Sequence, residues 1–260
     1  MPFAKKSLGQ NFLIDKNIIK KIINKVNIKN KNIIEIGPGK GALTNEIIKK
    51  NPKSLILIEK DNRLAQLLRN EFSNKNTVEI LNEDVLKFNF NSINKKDFII
   101  FGNLPYNISS QILVKIIKSK IWPPNFKDII FMFQKELGDK IIADYPSSNY
   151  GRLSILRNYR LHVVDKFIVS PNCFFPKPKV RSMIIHFKPK NKTKIYIKNL
   201  EKLEKITNTF FSNKRKMINK NLKKILSEKK IKSIPNLNVN IRPENVSPEL
   251  YYKITNLTEN

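Results

Sequence analysis

The chain has 260 residues, a formal charge of +29 at pH 7 and a hydrophobic fraction of 40%, which favour a folded, basic protein over a disordered one. With one cysteine and two histidines it excludes an internal disulfide framework, and we expect no metal site. No run of about 18 apolar residues is present, so we expect no membrane span and a cytoplasmic protein. The charge favours a nucleic-acid partner, although an AT-rich genome would also enrich lysine.

Apolar runs and helical patterns alternate along the chain as far as about residue 188. The strand-like runs cover residues 32–36, 54–59, 77–81, 97–101, 128–133, 161–169 and 182–187. Helical patterns follow Gly41 and begin at Asn62, Gln111 and Lys135. This alternation predicts an α/β fold whose mostly parallel sheet is covered on both faces. The closeness of the last two runs predicts a hairpin, and hence an antiparallel edge strand.

The C-terminal part has a different pattern. After a segment rich in lysine and asparagine at 188–199, helical periodicity covers residues 200–213, 215–230 and 247–257. We therefore predict two domains, a catalytic domain at 1–190 and a small all-α domain at 191–260. The basic helices of the second domain are expected to bind RNA phosphates.

Three of the seven glycines lie close together in EIGPGKGALT, at Gly37, Gly39 and Gly41, between a predicted strand and a predicted helix. Such a loop lets backbone approach a ligand closely, although a plain tight turn is the structural alternative. Glu59, at the end of the next strand, could hold ribose hydroxyls, and Asp84 could accept from an adenine amino group. The spacing matches neither a dinucleotide fingerprint nor a P-loop. It looks like the loop of S-adenosylmethionine-dependent methyltransferases.

The stretch GNLPYNIS, at residues 102–109, also follows a predicted strand. The side-chain oxygen of Asn103 and the backbone carbonyl of Leu104 could accept the N–H groups of an adenine amine. This would favour the pyramidal form of the nitrogen, which is the reactive one. Tyr106 could stack on the base, which must leave its helix or loop to be reached.

EIGPGKGALT, GNLPYNISS and FFPKPKVRS together resemble the ribosomal RNA adenine dimethyltransferases. KKSLGQNFL, QKELGDKI, YGRLSILRNY and FFSNKRKMINKNL add to the resemblance, which runs from about residue 5 to 257. It implies a Rossmann-like class I S-adenosylmethionine-dependent methyltransferase fold, with seven strands and a C-terminal helical domain. The implied methyl donor is S-adenosylmethionine, and S-adenosylhomocysteine is the product.

The resemblance also implies roles for individual residues. Those implied around the cofactor are Gln10, Asn11 and Leu13 in a closing N-terminal segment, Gly37 and Gly39 at the methionine end, Glu59 on the ribose, Asp84 at the adenine, and Asn103. Those implied around the target base are Asn103 and Leu104 at the amine, Tyr106 stacked on the base, and Phe174 on the opposite face. The chain departs from its relatives at Lys214–Lys216, where they favour paired arginines, which affects the expected grip on RNA.

The N-terminal GQNFL and the tail resemble most the small-subunit group of this family. That group places four methyl groups on two adjacent adenines in a hairpin loop near the 3′ end of small-subunit (16S) rRNA, in the pre-30S particle. We therefore expect a monomeric rRNA (adenine-N6,N6)-dimethyltransferase of ribosome biogenesis. The alternatives are a large-subunit enzyme of the erythromycin-resistance type, a DNA adenine methyltransferase, and an assembly factor that has lost catalysis.

Overall fold

The computed structural model describes residues 5, 9–93 and 96–259. Residues 6–8 of the N-terminal KKSLGQNFL motif therefore lie outside the described part of the chain. The chain divides into two compact units, Met1–Gly138 with His162–Pro189, and Asp139–Leu161 with Lys190–Asn260. Residues 139–161 thus group with the C-terminal residues, and the domain division at residue 190 stays a prediction.

The main sheet has seven strands within the described residues. They are β2 (Asn32–Ile36), β3 (Ser54–Ile58), β4 (Val78–Leu81), β5 (Phe98–Gly102), β6 (Phe126–Gln134), β7 (Leu161–Val169) and β9 (Ser182–Pro189). Their order in the sheet is β4-β3-β2-β5-β6-β9-β7. A separate two-stranded sheet pairs β1 (Phe12–Leu13) with β8 (Phe174–Phe175).

The strand pairing confirms the predicted mixed sheet. β2 runs parallel to β3 and β5, β3 runs parallel to β4, and β5 runs parallel to β6, whereas β9 is antiparallel to β6. β9 lies one position in from the edge, which β7 forms. The central strands are buried along nearly their whole length, as their mainly apolar sequences predict. All seven predicted strands are present, but β1 and β8 were not predicted.

Five helices accompany the sheet strands in the described chain up to residue 142. They are α1 (Lys16–Ile23), α2 (Ala42–Ile48), α3 (Asn62–Glu71), α4 (Ser109–Ile117) and α5 (Lys135–Ile142). The carboxylates of Asp15 and Asp61 accept backbone N–H groups at the starts of α1 and α3, which fixes where both helices begin. Four of these helices were predicted, and α1 was not.

The C-terminal unit is helical. Its helices are α6 (Arg152–Arg160), α7 (Leu200–Phe211), α8 (Asn219–Ile225), α9 (Glu228–Lys232) and α10 (Pro248–Leu257). Aromatic side chains form its interior, since the ring of Tyr251 contacts those of Phe210 and Phe211. Tyr252 donates a hydrogen bond to the Ile155 carbonyl, which explains why α6 groups with the tail. No helix in the described parts of the chain is long and apolar enough to span a bilayer.

Candidate active site

A cavity of about 290 Å³ lies at the carboxyl ends of the parallel strands. Its walls are the loops that follow β2, β3, β4 and β5, and its roof is the segment Gly9–Ile14. Open parallel sheets bind ligands at this edge, because the loops after neighbouring strands converge there. Ten of the eleven residues predicted for the site line this cavity: Gln10, Asn11, Leu13, Gly37, Gly39, Glu59, Asp84, Asn103, Leu104 and Tyr106.

The glycine loop after β2 requires glycine for two separate reasons. Gly37 and Gly39 have φ values of 66° and 61°, a region that side chains with a Cβ avoid. A Cβ added to Gly39 would lie 3.0 Å from the ring of Phe12, whereas one added to Gly37 would meet only the Asn103 carbonyl oxygen, at 3.8 Å. The backbone at Gly37 is therefore open towards the cavity, which fits a ligand that contacts main chain.

The carboxylate of Glu59 is buried and held in one position. It accepts the backbone N–H of Gly39 at 3.1 Å and that of Asp61 at 2.8 Å, one on each oxygen. Burial raises the pKa of Glu59, and these backbone hydrogen bonds oppose the rise. Each oxygen can accept a further hydrogen bond, so the carboxylate suits a pair of ribose hydroxyl donors.

Asp84 supplies a second acceptor on the same wall. It accepts the Leu86 backbone N–H at 2.9 Å and pairs with the Lys60 ammonium at 2.8 Å. This hydrogen bond from Lys60 lowers the pKa of Asp84, so the group is an ionised acceptor at neutral pH. The exocyclic amine of an adenine is a donor that matches such an acceptor, and the site therefore fits a nucleoside cofactor.

A third carboxyl group, on Glu35, lines the cavity and was not predicted. Its oxygen accepts from the Thr44 hydroxyl at 2.7 Å. Burial raises its pKa to about 8, with a smaller contribution from the nearby Glu59. The sequence EIGPG places Glu35 next to the glycine loop. The protonation of Glu35 depends on its burial, which could not be predicted from the sequence.

The loop after β5 turns the Asn103 amide into a defined orientation. Its Nδ2 donates to the Asn11 backbone carbonyl at 3.1 Å, which leaves Oδ1 as the atom able to accept from a ligand. Leu104 is buried, and a Cβ on Gly102 would lie 2.6 Å from its Cδ2 atom. Glycine at the end of β5 therefore makes room for the turn that presents Asn103.

The Tyr106 hydroxyl is bound to the Ser182 hydroxyl at 2.6 Å. Burial raises the pKa of Tyr106, so it stays neutral. Because the hydroxyl is already used, the ring is the part of Tyr106 available to a ligand. Ser182 belongs to the FFPKPKVRS motif, but its contact with Tyr106 was not predicted, because the two residues are 76 positions apart.

The N-terminal segment is fastened to the cavity wall through Asp61. The Gln10 side-chain amide donates to Asp61 at 3.3 Å, and the Lys5 ammonium lies 3.4 Å from the same carboxylate. A hydrogen bond from Arg63 holds the pKa of Asp61 well below its usual range. Gln10 and Asn11 are thereby brought to the cavity, as the family resemblance implies.

Phe174 is the predicted site residue that does not line the cavity. It is 3% exposed and lies in the hydrophobic core beside Leu13. Its neighbour Phe175 is 64% exposed. The stacking role of Phe174 therefore stays a prediction, and the sequence alone did not separate the two phenylalanines.

The sheet, the glycine loop and the fixed acceptors Glu59 and Asp84 define a class I methyltransferase whose methyl donor is S-adenosylmethionine. Those two carboxylates and the open backbone at Gly37 would hold the cofactor. The profile of the ribosomal RNA adenine dimethylase family matches residues 2–260. The chain belongs to that family and is an rRNA adenine dimethyltransferase.

Individual relatives agree with this assignment. The chain is 43% identical over 255 residues to "Ribosomal RNA small subunit methyltransferase A" of Pelagibacter ubique, covering 96% of this chain and 95% of the relative. A dimethyladenosine transferase structure from Plasmodium falciparum matches with a TM-score of 0.75 and 27% identity, covering 94% and 95% of the two chains. The 23S rRNA methyltransferase ErmE matches with a TM-score of 0.69 and 23% identity, covering 96% and 100%, and shares the fold.

Proposed function

We propose that the protein dimethylates the N6 amines of two adjacent adenines in the 3′-terminal hairpin loop of small-subunit (16S) rRNA. It acts as a monomer in the cytoplasm, on the pre-30S particle during its assembly. The observation that carries the chemistry is the oriented amide of Asn103, a residue that lines the same cavity as the glycine loop and whose Nδ2 is used by the Asn11 carbonyl. The similarity to the small-subunit methyltransferase of Pelagibacter ubique supports the choice of the small subunit.

The chain's own groups supply positioning. Asn103 Oδ1 and the Leu104 carbonyl accept the two N–H groups of the target amine and turn its lone pair towards the methyl group. The Tyr106 ring stacks on the extruded base and holds it at that distance. When bound, S-adenosylmethionine supplies a methyl carbon whose bond to sulfur breaks as the amine nitrogen attacks.

The two methyl transfers at one amine exchange hydrogens for carbons one at a time. The nitrogen gains a carbon in each transfer and loses one proton to water, so two transfers exhaust its two hydrogens. After the first transfer one N–H remains, and either acceptor can hold it. No acid or base of strongly shifted pKa is needed at the amine, because the sulfonium is an excellent leaving group.

The exposed cations of the tail support a role in RNA binding. Lys214, Arg215 and Lys216 are all exposed at the end of α7. A cluster of this kind neutralises phosphates and releases counterions, so it strengthens binding without reading sequence. We propose that residues 191–260 serve as the RNA-binding domain and residues 1–190 as the catalytic domain.

The experiment is methyl transfer to isolated ribosomal particles. Small-subunit particles that lack the modification, large-subunit particles and DNA are each incubated with labelled S-adenosylmethionine, and modified adenines are mapped by primer extension. Label in the two adjacent adenines of the small subunit supports the proposal. Label in the large subunit would instead indicate the erythromycin-resistance activity, label in DNA the DNA activity, and no label a non-catalytic assembly factor.

Asn103→Ala tests the chemistry directly. We expect it to abolish transfer while leaving particle binding largely unchanged, because the side chain holds the amine and not the phosphates. Asn74→Ala, at an exposed asparagine outside the cavity, is the matched control. Full activity of Asn103→Ala would refute the proposed role.

A further inference from the structure

The β1–β8 ribbon has two different faces. Phe12 pairs with Phe175, and Leu13 pairs with Phe174. Directly opposed residues of an antiparallel pair project to the same face, and successive residues alternate. Leu13 and Phe174 therefore share one face, and both are buried in the core. Phe12 and Phe175 share the other.

Both residues of β1 line the cavity, Leu13 from the first face of the ribbon and Phe12 from the second. Phe12 lines the cavity and lies against Gly39, and the Lys40 ammonium is 4.9 Å from the centroid of its ring. Phe12 is 9% exposed, whereas Phe175, directly opposite, is 64% exposed. Phe175 therefore lies opposite a residue that lines the cavity, and its ring is largely uncovered by the described residues.

The surroundings of Phe175 are cationic and apolar. Lys177, Lys179 and Arg181 are exposed on the segment that follows it, and residues 171–181 contain no acidic side chain. Ile14, which lines the cavity, and Val180 add exposed apolar surface. An exposed aromatic ring among cations matches a single-stranded nucleic acid, whose bases stack on rings while its phosphates meet positive charge. A protein partner would need acidic groups to match the same surface.

We propose that Phe175 stacks on the adenine next to the one that occupies the cavity. This inference rests on the proposed function, in which the two target adenines are adjacent in one loop. Moving one base out of its stack uncovers a face of its neighbour. The exposed ring of Phe175, opposite the cavity-lining Phe12, offers that uncovered base face a surface to stack on. The neighbour is thus held close to the cavity, where it is the next base to enter.

The test is a binding cycle between protein and RNA variants. The probe is a hairpin RNA with the small-subunit 3′-terminal loop sequence, made with both adenines or with the non-entering adenine replaced by an abasic residue. The full-length protein is used as wild type, Phe175→Ala, Phe175→Leu and Phe175→Trp, with S-adenosylhomocysteine at saturation. Ile168→Ala, at a 41% exposed apolar residue of β7, is the control.

We expect Phe175→Ala to weaken binding of the intact hairpin about tenfold, the size of one base–aromatic stack. The abasic hairpin should bind the wild type about tenfold more weakly, and Phe175→Ala should weaken it no further. Phe175→Trp should keep the affinity, Phe175→Leu should lose most of it, and Ile168→Ala should bind as the wild type does.

Each of the following results would overturn the inference. Phe175→Ala and the wild type could bind the intact hairpin with equal affinity. Phe175→Ala could lose as much affinity for the abasic hairpin as for the intact one. The wild type could show no detectable binding to the hairpin. A loss seen on whole particles but not on the hairpin would also overturn it and indicate a ribosomal protein as the partner. Wild-type methylation of small-subunit particles is measured in parallel. Its absence refutes the proposed function, whereas methylation with an unaltered Phe175→Ala affinity refutes the stacking role alone.

Discussion

Replacing Tyr106 with phenylalanine separates the ring of this residue from its hydroxyl. The hydroxyl is bound to Ser182 at 2.6 Å, so it is not available to the substrate. The proposed mechanism uses only the ring face. We therefore expect Tyr106→Phe to keep kcat close to the wild-type value, and Tyr106→Ala to lower kcat/KM about tenfold or more because the stack is removed.

The same substitution should cost stability, in an amount that follows from burial. Ser182 is 0% exposed, so Tyr106→Phe leaves a buried hydroxyl without its partner, at about 1–3 kcal/mol. Ser182→Ala removes one hydrogen bond from the hydroxyl of Tyr106, a half-buried residue, and should cost about 0.5–1.5 kcal/mol. The double variant removes both polar partners, so it should be more stable than Tyr106→Phe.

Two measurements check this reasoning. Thermal unfolding of the full chain should show a fall in Tm of about 2–4 °C for each kcal/mol of destabilisation. Methyl transfer to small-subunit particles, with kcat and KM measured separately, tests the expected activities of the Tyr106 variants. The reasoning fails if Tyr106→Phe is as inactive as Tyr106→Ala, or if the double variant is less stable than Tyr106→Phe.

The remaining predictions concern the glycine loop, a buried acid and the basic tail. Gly39→Ala should weaken cofactor binding, measured by calorimetric titration, more than Gly41→Ala does. Both glycines have a positive φ. A Cβ at Gly39 would lie 3.0 Å from a ring atom of Phe12, whereas a Cβ at Gly41 would lie 3.4 Å from its nearest neighbour. Burial raises the pKa of Glu35 from 4.5 to about 8, so the folded state holds a proton that the unfolded state has released. Stability should therefore fall by about 1.4 kcal/mol per pH unit as pH rises from 4.5 to 8, and urea unfolding across that range should show a shallower dependence for Glu35→Gln. Replacing residues 214–216 by alanine should reduce the salt slope of RNA binding by about one for each phosphate that these side chains neutralise, which filter binding at several salt concentrations measures.

The main sheet could be predicted because its strands are defined by local sequence. The runs NIIEI and SLILI are rich in isoleucine and leucine, as a strand buried on both faces requires. The β1–β8 ribbon could not be predicted in the same way. It pairs two dipeptides that are about 160 positions apart, and nothing local in Phe12–Leu13 specifies a strand. The residues at the strand ends could therefore be predicted from the sequence, whereas the strand pairing of the segment that roofs the cavity could not.

At positions 174 and 175, the strand pairing determines in which direction each phenylalanine ring points. In sequence they are equivalent, and a one-residue change of register would exchange the faces on which their rings lie. The family resemblance selects Phe174 for the target base, yet the observed register turns Phe174 into the core and Phe175 outwards. The direction of each side chain here follows from the pairing of β1 with β8, which are far apart in sequence. A sequence motif can therefore identify the residue, but it does not predict on which face of the ribbon its ring lies.

The N-terminal segment connects parts of the site that sequence analysis treats separately. Gln10 donates to Asp61 on the wall after β3, Asn11 accepts from the Asn103 amide, and the Phe12 ring lies against Gly39. A segment that roofs the cavity thus also fixes which atom of the Asn103 amide is left to accept a hydrogen bond. Without the hydrogen bond to Asn11, the amide would be free to rotate and present nitrogen in place of oxygen. In the proposed mechanism, residues 10–12 therefore couple cofactor binding to amine orientation, and a substitution that displaces this segment should impair both together.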